Sequence, residues 1–594
     1  MVILVGCSRR EELSEEDIRN LPREGLQELL ALTVTRPYQG EDFLPGSIGG
    51  TWHNSMQADP KSFNILVAEQ DSATASVVNG MLDYLVDYDT VTREWKPHAA
   101  SFQIQADQRR GTLRVVYTLR EDLYWSYYNS DTKIPVTSDD IIFWYNEIEG
   151  DPAFNSSGYN GQFLLMEDGS LARITIEKID DKSFAFNFPR IVAEPLLTTN
   201  RNIAPRMGYQ EAKARGGVDG VLNLFAVNTN PQAIPSMGKW FLTEYTVSQR
   251  LVYTRNGDYW DKDSLGQSIP YLEEEIVQII PDENTRFLLF KEGRMDSYSP
   301  RPEDLDELVR NASDYSVFNA EGSLGASFWT LNQNPQNSES PQYEWFTQTE
   351  FRQAMSCLLN RDRIISQVYR GLAEPKLNFF PEPNAYFNRD IRLQYQYDPA
   401  KALALLESIG FSRDQNGILR DSKNRPVEFD LTIRSESTIN QDIASIIMDE
   451  LSKVGIKLNI RTLDFQKMVE QLFYTFDWES MIMSLSGSNI FPTQGSNVWP
   501  SDGNLHLWYP LQESPATEWE ERIDYLYNEG AYTIDQGIAK RYWDEYQAII
   551  LEQCPVIYLV RPLSFFALRD RWDMSNVYYD NINGAEMTHM FLKP

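Results

Sequence analysis

Apolar positions along the chain switch repeatedly between two spacings. Alternation, or a short apolar run rich in β-branched residues, predicts a strand; recurrence every three or four residues predicts a helix. A strand is predicted over Phe63–Ala68, then a helix over Ser76–Leu85 with Val77, Met81, Leu82 and Leu85 on one face. Leu113–Leu119 reads as a strand, and Thr137 ahead of Asp139 and Asp140 opens a helix through Ile148. Ile174–Ile179 and Ser183–Phe188 alternate around Asp180-Asp181 as a hairpin would. Strands follow at Phe241–Tyr245, Leu251–Thr254 and Glu275–Ile280, and a helix over Asp282–Glu292 stops at Gly293. Phe351–Leu359 has helical spacing; Asp398-Pro399 opens a helix over Ala400–Ile409 that ends at Gly410. Phe429–Ile433 is a strand, Asn440–Val454 a helix stopped by Gly455, and Ile456–Ile460 and Val556–Val560 are strands. Strands alternating with helices predict mixed α/β layers, and no fixed-period repeat is visible.

The 594 residues are enough for three to four domains. With 54 basic against 86 acidic residues, the net charge of −32 repels polyanions, which excludes nucleic acid as a natural partner. The same field repels anionic lipid head groups, so membrane attachment would need a stronger device. Three Cys do not make a disulfide scaffold; Cys357 and Cys554 sit in apolar contexts and read as small buried hydrophobes.

Cys7 differs. Leu4-Val5-Gly6-Cys7 resembles a bacterial lipobox, and the polar stretch from Ser8 to Asp17 has the character of a tether. Acylation there would hold an acidic protein on a bilayer. Only six residues precede Cys7 and none is basic, so the competing reading is a short apolar start with a chance Cys. Residues 8–48 read as a tether with a short helix around Leu21–Leu32.

Reaction chemistry is hard to find. His53, His98, His506 and His589 lack metal-ligand spacing, so no metal and no cofactor is expected. Nucleophile-elbow, P-loop and dinucleotide fingerprints are missing from the sequence. Asp139-Asp140 and Glu273-Glu274-Glu275 have ordinary readings, a helix start and a solvated edge. No enzyme is expected, and binding remains.

Several stretches, in chain order, resemble the family 5 extracellular solute-binding proteins, the peptide/nickel type that feeds ABC importers. Met81–Asp89 is similar to the family's "YEGL…YD" segment, and Val116–Ser126 with Pro135–Ile141 to its "LR…W…pvTa-D-v" signature. Gly238–Phe241 through Arg255–Trp260 is similar to "G-pf-l…rN-dYW", and Gly293–Asp296 to "G-iD". Arg352–Ala354 with Leu359–Ile364 resembles "RqAl…aiDR-ii", and Tyr397–Ala402 to Gly410-Phe411 resembles "yDp-kAk-LL-eaGf". The resemblance covers roughly residues 49–594.

It implies an α/β, periplasmic-binding-protein-like clamshell of two lobes, with a discontinuous first lobe and an extra satellite domain. The expected division is a signal remnant and tether over 1–48, a first-lobe core over 49–80 and 205–318, a satellite over 81–204, a second lobe over 319–560 and a return to the first lobe over 561–594. Ligand would lie between the lobes, against Gln70, Asp71 and Ser72, against Trp329 and Asn332, against Ser486, Gly487, Ser488 and Asn489, and near Trp499, His506 and Trp508. Asp71 or Ser72 would equally serve as a helix cap, Trp329 as core, and Trp499, His506 and Trp508 as a packed loop. Peptide-binding members carry an Asp in the third of these regions to meet the peptide's α-ammonium; here the place reads Ser486-Gly487-Ser488-Asn489. A buried ammonium needs a counter-charge. Either another acid such as Asp71 supplies it, or the ligand is a neutral oligosaccharide packed on aromatic faces. The implied protein is a monomeric, lipid-anchored, extracytoplasmic capture component that delivers its solute, an oligopeptide first and an oligosaccharide second, to an ABC permease and ATPase. A surface adhesin that has lost transport is the rival of another class.

Overall fold

The computed structural model describes Leu29, Leu32, Arg36–Pro37 and residues 43–594, apart from 90–91, 167, 323, 383, 486–490, 493–497, 504–505 and 581–583; for 36–37, 321–322, 579–580 and 584–585 it describes the backbone alone. The expected helix at Leu21–Leu32, apart from Leu29 and Leu32, and the expected acylation site at Cys7 lie outside the described residues.

The fold is mixed α/β in two lobes. The first-lobe sheet runs, in spatial order, Trp240–Thr246, Arg250–Arg255, Glu274–Ile279, Thr51–Met56; the last pair is parallel and the others antiparallel. Its inner face, carrying Trp52, Leu242, Leu251 and Ile279, packs on Val77, Val78 and Met81. Beside it stands an antiparallel sheet of Thr175–Lys178, Ser183–Phe188, Thr112–Leu119 and Ala100–Asp107, whose core holds Val115, Tyr117, Phe184 and Phe186. The second lobe is built on a five-stranded mixed sheet: Lys457–Leu463, Glu428–Arg434, Ser480–Leu485, Ala326–Leu331, Val556–Tyr558. Helices Thr349–Leu358, Pro399–Ser408 and Thr438–Lys453 contribute Phe351, Leu406 and Ile447 to the core with this sheet.

Two strands cross between the lobes, and they pair with each other. Tyr315–Gly322 leads out to the second lobe and Val560–Arg569 leads back, antiparallel, with Val317 opposite Ala567 and Phe318 opposite Phe566. The return is fastened by Asp296, which accepts from His53 N at 2.8 Å, Arg571 Nε at 2.6 Å and Trp572 Nε1 at 2.7 Å.

Two expectations are corrected. Phe63–Ala68 is not a strand: Ile65–Ala68 is a helical turn. Asn64 caps it by accepting from Leu66 N at 2.9 Å, and donates to Val221 O and Leu224 O at 2.6 and 2.9 Å. Those distant carbonyls decide against extension. The helix expected over Ser76–Leu85 runs instead over Ser72–Val78, starting early because Asp71 accepts from Thr74 N at 2.7 Å. It ends early because Met81 O receives Met237 N and Gly238 N at 3.1 and 3.0 Å, which a continuing helix would not allow. Leu85 reaches the core from extended backbone.

Candidate functional site

The site grows from the turn that joins these two short helices. Glu69 reaches the loop at 155–157, Asp71 the second lobe, and Gln70 both. Glu69 accepts from Ser156 Oγ at 2.9 Å, Ser157 N at 2.7 Å and Ser157 Oγ at 3.0 Å. Burial, with the Glu149 carboxylate nearby, pushes its carboxyl up to about 7 in spite of these bonds. Gln70 donates to Asn155 O at 3.2 Å and accepts from the Tyr474 hydroxyl of the second lobe. Asp71, 2% exposed, uses Oδ1 as the helix cap and Oδ2 to accept from Gln466 Nε2 at 2.6 Å. Gln466 lies on the second-lobe helix Phe465–Glu470.

A second seam joins Leu165, Arg190 and Ala193 to the second lobe. Leu165 N donates to Tyr532 Oη at 2.8 Å, Ala193 N donates to Ala531 O at 3.2 Å, and the Arg190 guanidinium stacks 3.7 Å from the Tyr532 ring centroid. Asn160 donates to the Asp502 carbonyl. Ala193 and Leu197 pack on the second-lobe cluster of Tyr386 and Trp543. The lobes therefore touch along two lines, as in a closed clamshell.

Two carboxylates stand near the second seam. Burial pushes the half-buried Asp524 up to about 6, with the charge of the exposed Asp502 adding to the push. Ser501 N donates to Asp524 at 2.9 Å. No Lys or Arg pairs with either acid among the described residues. Nearby, His506 at 3.9 Å and the Trp508 N–H at 3.0 Å hold Glu520 at about 2 against the upward push of burial.

Of the expected site residues, Gln70 and Asp71 meet the second lobe, and Ser72 is exposed beside them. Trp329, 0% exposed, stacks on Phe429 inside the second-lobe core. Asn332 donates to Trp478 O at 2.7 Å and Phe476 O at 3.1 Å, holding the end of its strand to a neighbouring loop. Trp499 packs between Phe379 and Trp508, and His506, 0% exposed, bonds Val498 O at 3.0 Å through Nδ1. These four take up their packing roles. Ser486, Gly487, Ser488 and Asn489 lie outside the described residues, although Ser484 just before them meets Ser327 Oγ to Oγ at 2.7 Å. Sequence reasoning passed over Gln466, Tyr474, Arg190, Tyr532, Asp502 and Asp524. All but Asp524, which meets Ser501 within its own neighbourhood, matter through a partner hundreds of residues away, and no local pattern marks them.

Fold and seams together define a two-lobed binding protein whose lobes close on each other. The chain belongs to the bacterial extracellular solute-binding proteins, family 5, whose model matches residues 94–505. It is 27% identical over 577 residues to the "Probable ABC transporter-binding protein" of Deinococcus radiodurans, covering 92% of this chain and 93% of that one. It is 24% identical over 553 residues to the oligopeptide-binding protein AppA of Bacillus subtilis, covering 90% of this chain and 88% of that one. The solved structure of AppA with a nonapeptide superposes with a TM-score of 0.74 at 19% identity, covering 93% of this chain and all (100%) of that one. The stachyose complex of MelB from Agrobacterium fabrum reaches a TM-score of 0.75 at 18% identity, over 90% of this chain and 82% of that one.

Proposed function

We propose that the protein captures an oligopeptide between its lobes and hands it, unaltered, to an ABC permease outside the cytoplasm. The observation that carries this reading is the closed junction: Gln466 reaches Asp71, and Tyr474 reaches Gln70, across the gap between lobes. A ligand that touches both lobes binds the closed form better and shifts the population towards it. Relatives named for peptide binding support the peptide as cargo. Asp71 is already satisfied by Thr74 and Gln466, so the counter-charge for a peptide's α-ammonium falls to Asp502 and Asp524, which lack a cationic partner among the described residues. Cys7 is the proposed acylation site, and mass spectrometry of the native protein checks it. Residues 81–204 are proposed as the satellite and 319–560 as the second lobe.

Calorimetric titration with a set of free and N-acetylated oligopeptides, and with stachyose, tests the reading. Free peptides should bind and compact the protein in solution scattering; acetylation, or Asp502→Asn with Asp524→Asn, should weaken binding tenfold or more. Binding of stachyose with no response to any peptide would replace the peptide by an oligosaccharide. Turnover of either would overturn the capture role.

A further inference from the structure

The helix Ser72–Val78 begins at the lobe junction and ends, about 10 Å away, at a different enclosure. Asn79 and Gly80, just past its end, line a cavity of about 540 Å³ within the first lobe. Opposite them are Trp52, Trp240 and the stacked pair Tyr84 and His98, whose rings lie 4.4 Å apart.

Glu275 enters this cavity from the sheet. On its strand Glu275, Val277 and Ile279 share one face, and Val277 and Ile279 are part of the first-lobe core. A carboxylate thus occupies a position patterned for an apolar side chain, with Trp52 and Tyr253 as its cross-strand neighbours. Among the described residues its one hydrogen bond is a long one, from Asn54 Nδ2 at 3.5 Å. Burial pushes it up to about 7. The other charges of the cavity are engaged elsewhere: Asp83 meets His98 at 2.5 Å and Trp260 at 2.7 Å, and Lys239 bonds Thr588 Oγ1 at 3.0 Å. Glu275 is half-buried, and among the described residues no Lys, Arg or His pairs with it, Lys239 across the same cavity being turned to Thr588; a partly desolvated carboxylate with aromatic faces around it is what an organic cation packs on.

We propose that this cavity is a second ligand site, separate from the interlobe cleft, that takes a small organic cation: its ammonium or guanidinium group pairs with Glu275, and its apolar body lies against Trp52, Trp240 and Tyr84. The size falls in the ordinary range for small-molecule pockets.

Titration of the full chain with phenethylamine and agmatine, with phenethyl alcohol as the uncharged control, tests it. Both amines should bind saturably and the alcohol should not. Glu275→Gln, which keeps the Asn54 contact, should weaken amine binding tenfold or more. In the wild type, amine affinity should rise about tenfold from about pH 6 to about pH 8 as the carboxyl ionises while the amines stay protonated. The other titratable groups facing Glu275 or the cavity are Tyr253, Asp83, Tyr84, His98 and Lys239, so this rise must vanish in Glu275→Gln. The wild-type pH profile stands even where that variant fails to fold. Absence of amine binding, equal binding of amine and alcohol, or an unchanged profile in Glu275→Gln would overturn the proposal.

Discussion

Asp71 and Gln466, on opposite lobes, meet at 2.6 Å, and the same carboxylate starts the helix Ser72–Val78. One oxygen serves local folding and the other serves closure. The two roles can be separated by mutation, because only Gln466 can be removed without touching the cap.

Gln466→Ala should loosen the closed form and spare stability. A hydrogen bond to a charged group contributes ~1.5–3 kcal/mol, so the open fraction should rise about tenfold or more. Solution scattering of the unliganded variant should show a larger radius of gyration, with a melting midpoint near that of the wild type. Asp71→Ala should behave differently, because it removes the cap along with the contact and so lowers stability by ~1 kcal/mol as well. Identical scattering for wild type and Gln466→Ala would remove the contact from any account of closure.

Glu69 makes stability depend on pH with a defined sign. Its folded carboxyl titrates near 7, above the usual 4.5, so the folded state holds the proton more tightly. It costs nothing below about pH 4.5; the cost grows as pH climbs towards about 7 and persists above. Glu69→Gln keeps an acceptor for Ser156 and Ser157 and removes that cost. The variant should melt higher than the wild type at about pH 8 and level with it at about pH 4.5. Calorimetric scans at the two pH values check this, and a gain confined to the acid side would contradict it.

Asp296→Ala should be among the most damaging single changes. It strips the partner from Arg571 Nε, Trp572 Nε1 and His53 N together, unfastening the C-terminal return from the first strand. Arg571 is half exposed and can turn to water, but the buried Trp572 N–H is left without its acceptor, which costs ~1–3 kcal/mol. Denaturant titration should show the midpoint fall accordingly; a change below ~1 kcal/mol would mean the return is held by apolar packing alone.

Elements with an unbroken local pattern were legible before the structure. Glu428–Arg434, Thr438–Lys453 and Lys457–Leu463 follow from an apolar run, a helical stripe and the stop at Gly455, because each buries its face against its sequence neighbours. Ile65–Ala68 was not, because Asn64 is held by Val221 and Leu224, far along the chain. The candidate site divides the same way. The turn at Gln70 and Asp71 was expected from the family resemblance as a wall of the cleft, and it meets the second lobe; its counterparts Tyr474 and Gln466 lie about 400 residues away in stretches without a motif. Trp499 and His506 illustrate the opposite error: aromatic residues in an irregular loop look like a binding surface, yet here they pack on each other's neighbours.

Cys357 and Cys554 should be silent to thiol reagents in the native state. Both are buried, and burial pushes their thiols up to about 11 and about 12. The thiolate is the reactive form, so almost none is present near neutral pH. In a Cys7→Ser background, a colorimetric disulfide reagent should react with neither until denaturant is added, and then with both. Rapid labelling of the native protein would show that the second-lobe core opens locally.

Gly530 and Gly216 offer opposite outcomes for one substitution. Gly530 lies inside helix Glu518–Tyr532, where alanine is intrinsically favoured by about 1 kcal/mol. A Cβ there, however, would stand 2.6 Å from Trp543 Cζ2. Trp543 is 0% exposed and hemmed in by Tyr527, Phe380 and Tyr386, so the ring cannot yield without repacking. Overpacking costs ~1–3 kcal/mol, which outweighs the helix gain, and Gly530→Ala should lower the melting midpoint. Gly216, in helix Arg206–Leu222, has nothing within 4 Å of an added Cβ. Gly216→Ala should leave the midpoint unchanged or raise it by up to about 1 °C. Parallel melts read the sign of each, and a stabilising Gly530→Ala would mean that helix Glu518–Tyr532 and the helix carrying Trp543, Gln536–Gln553, are free to move apart.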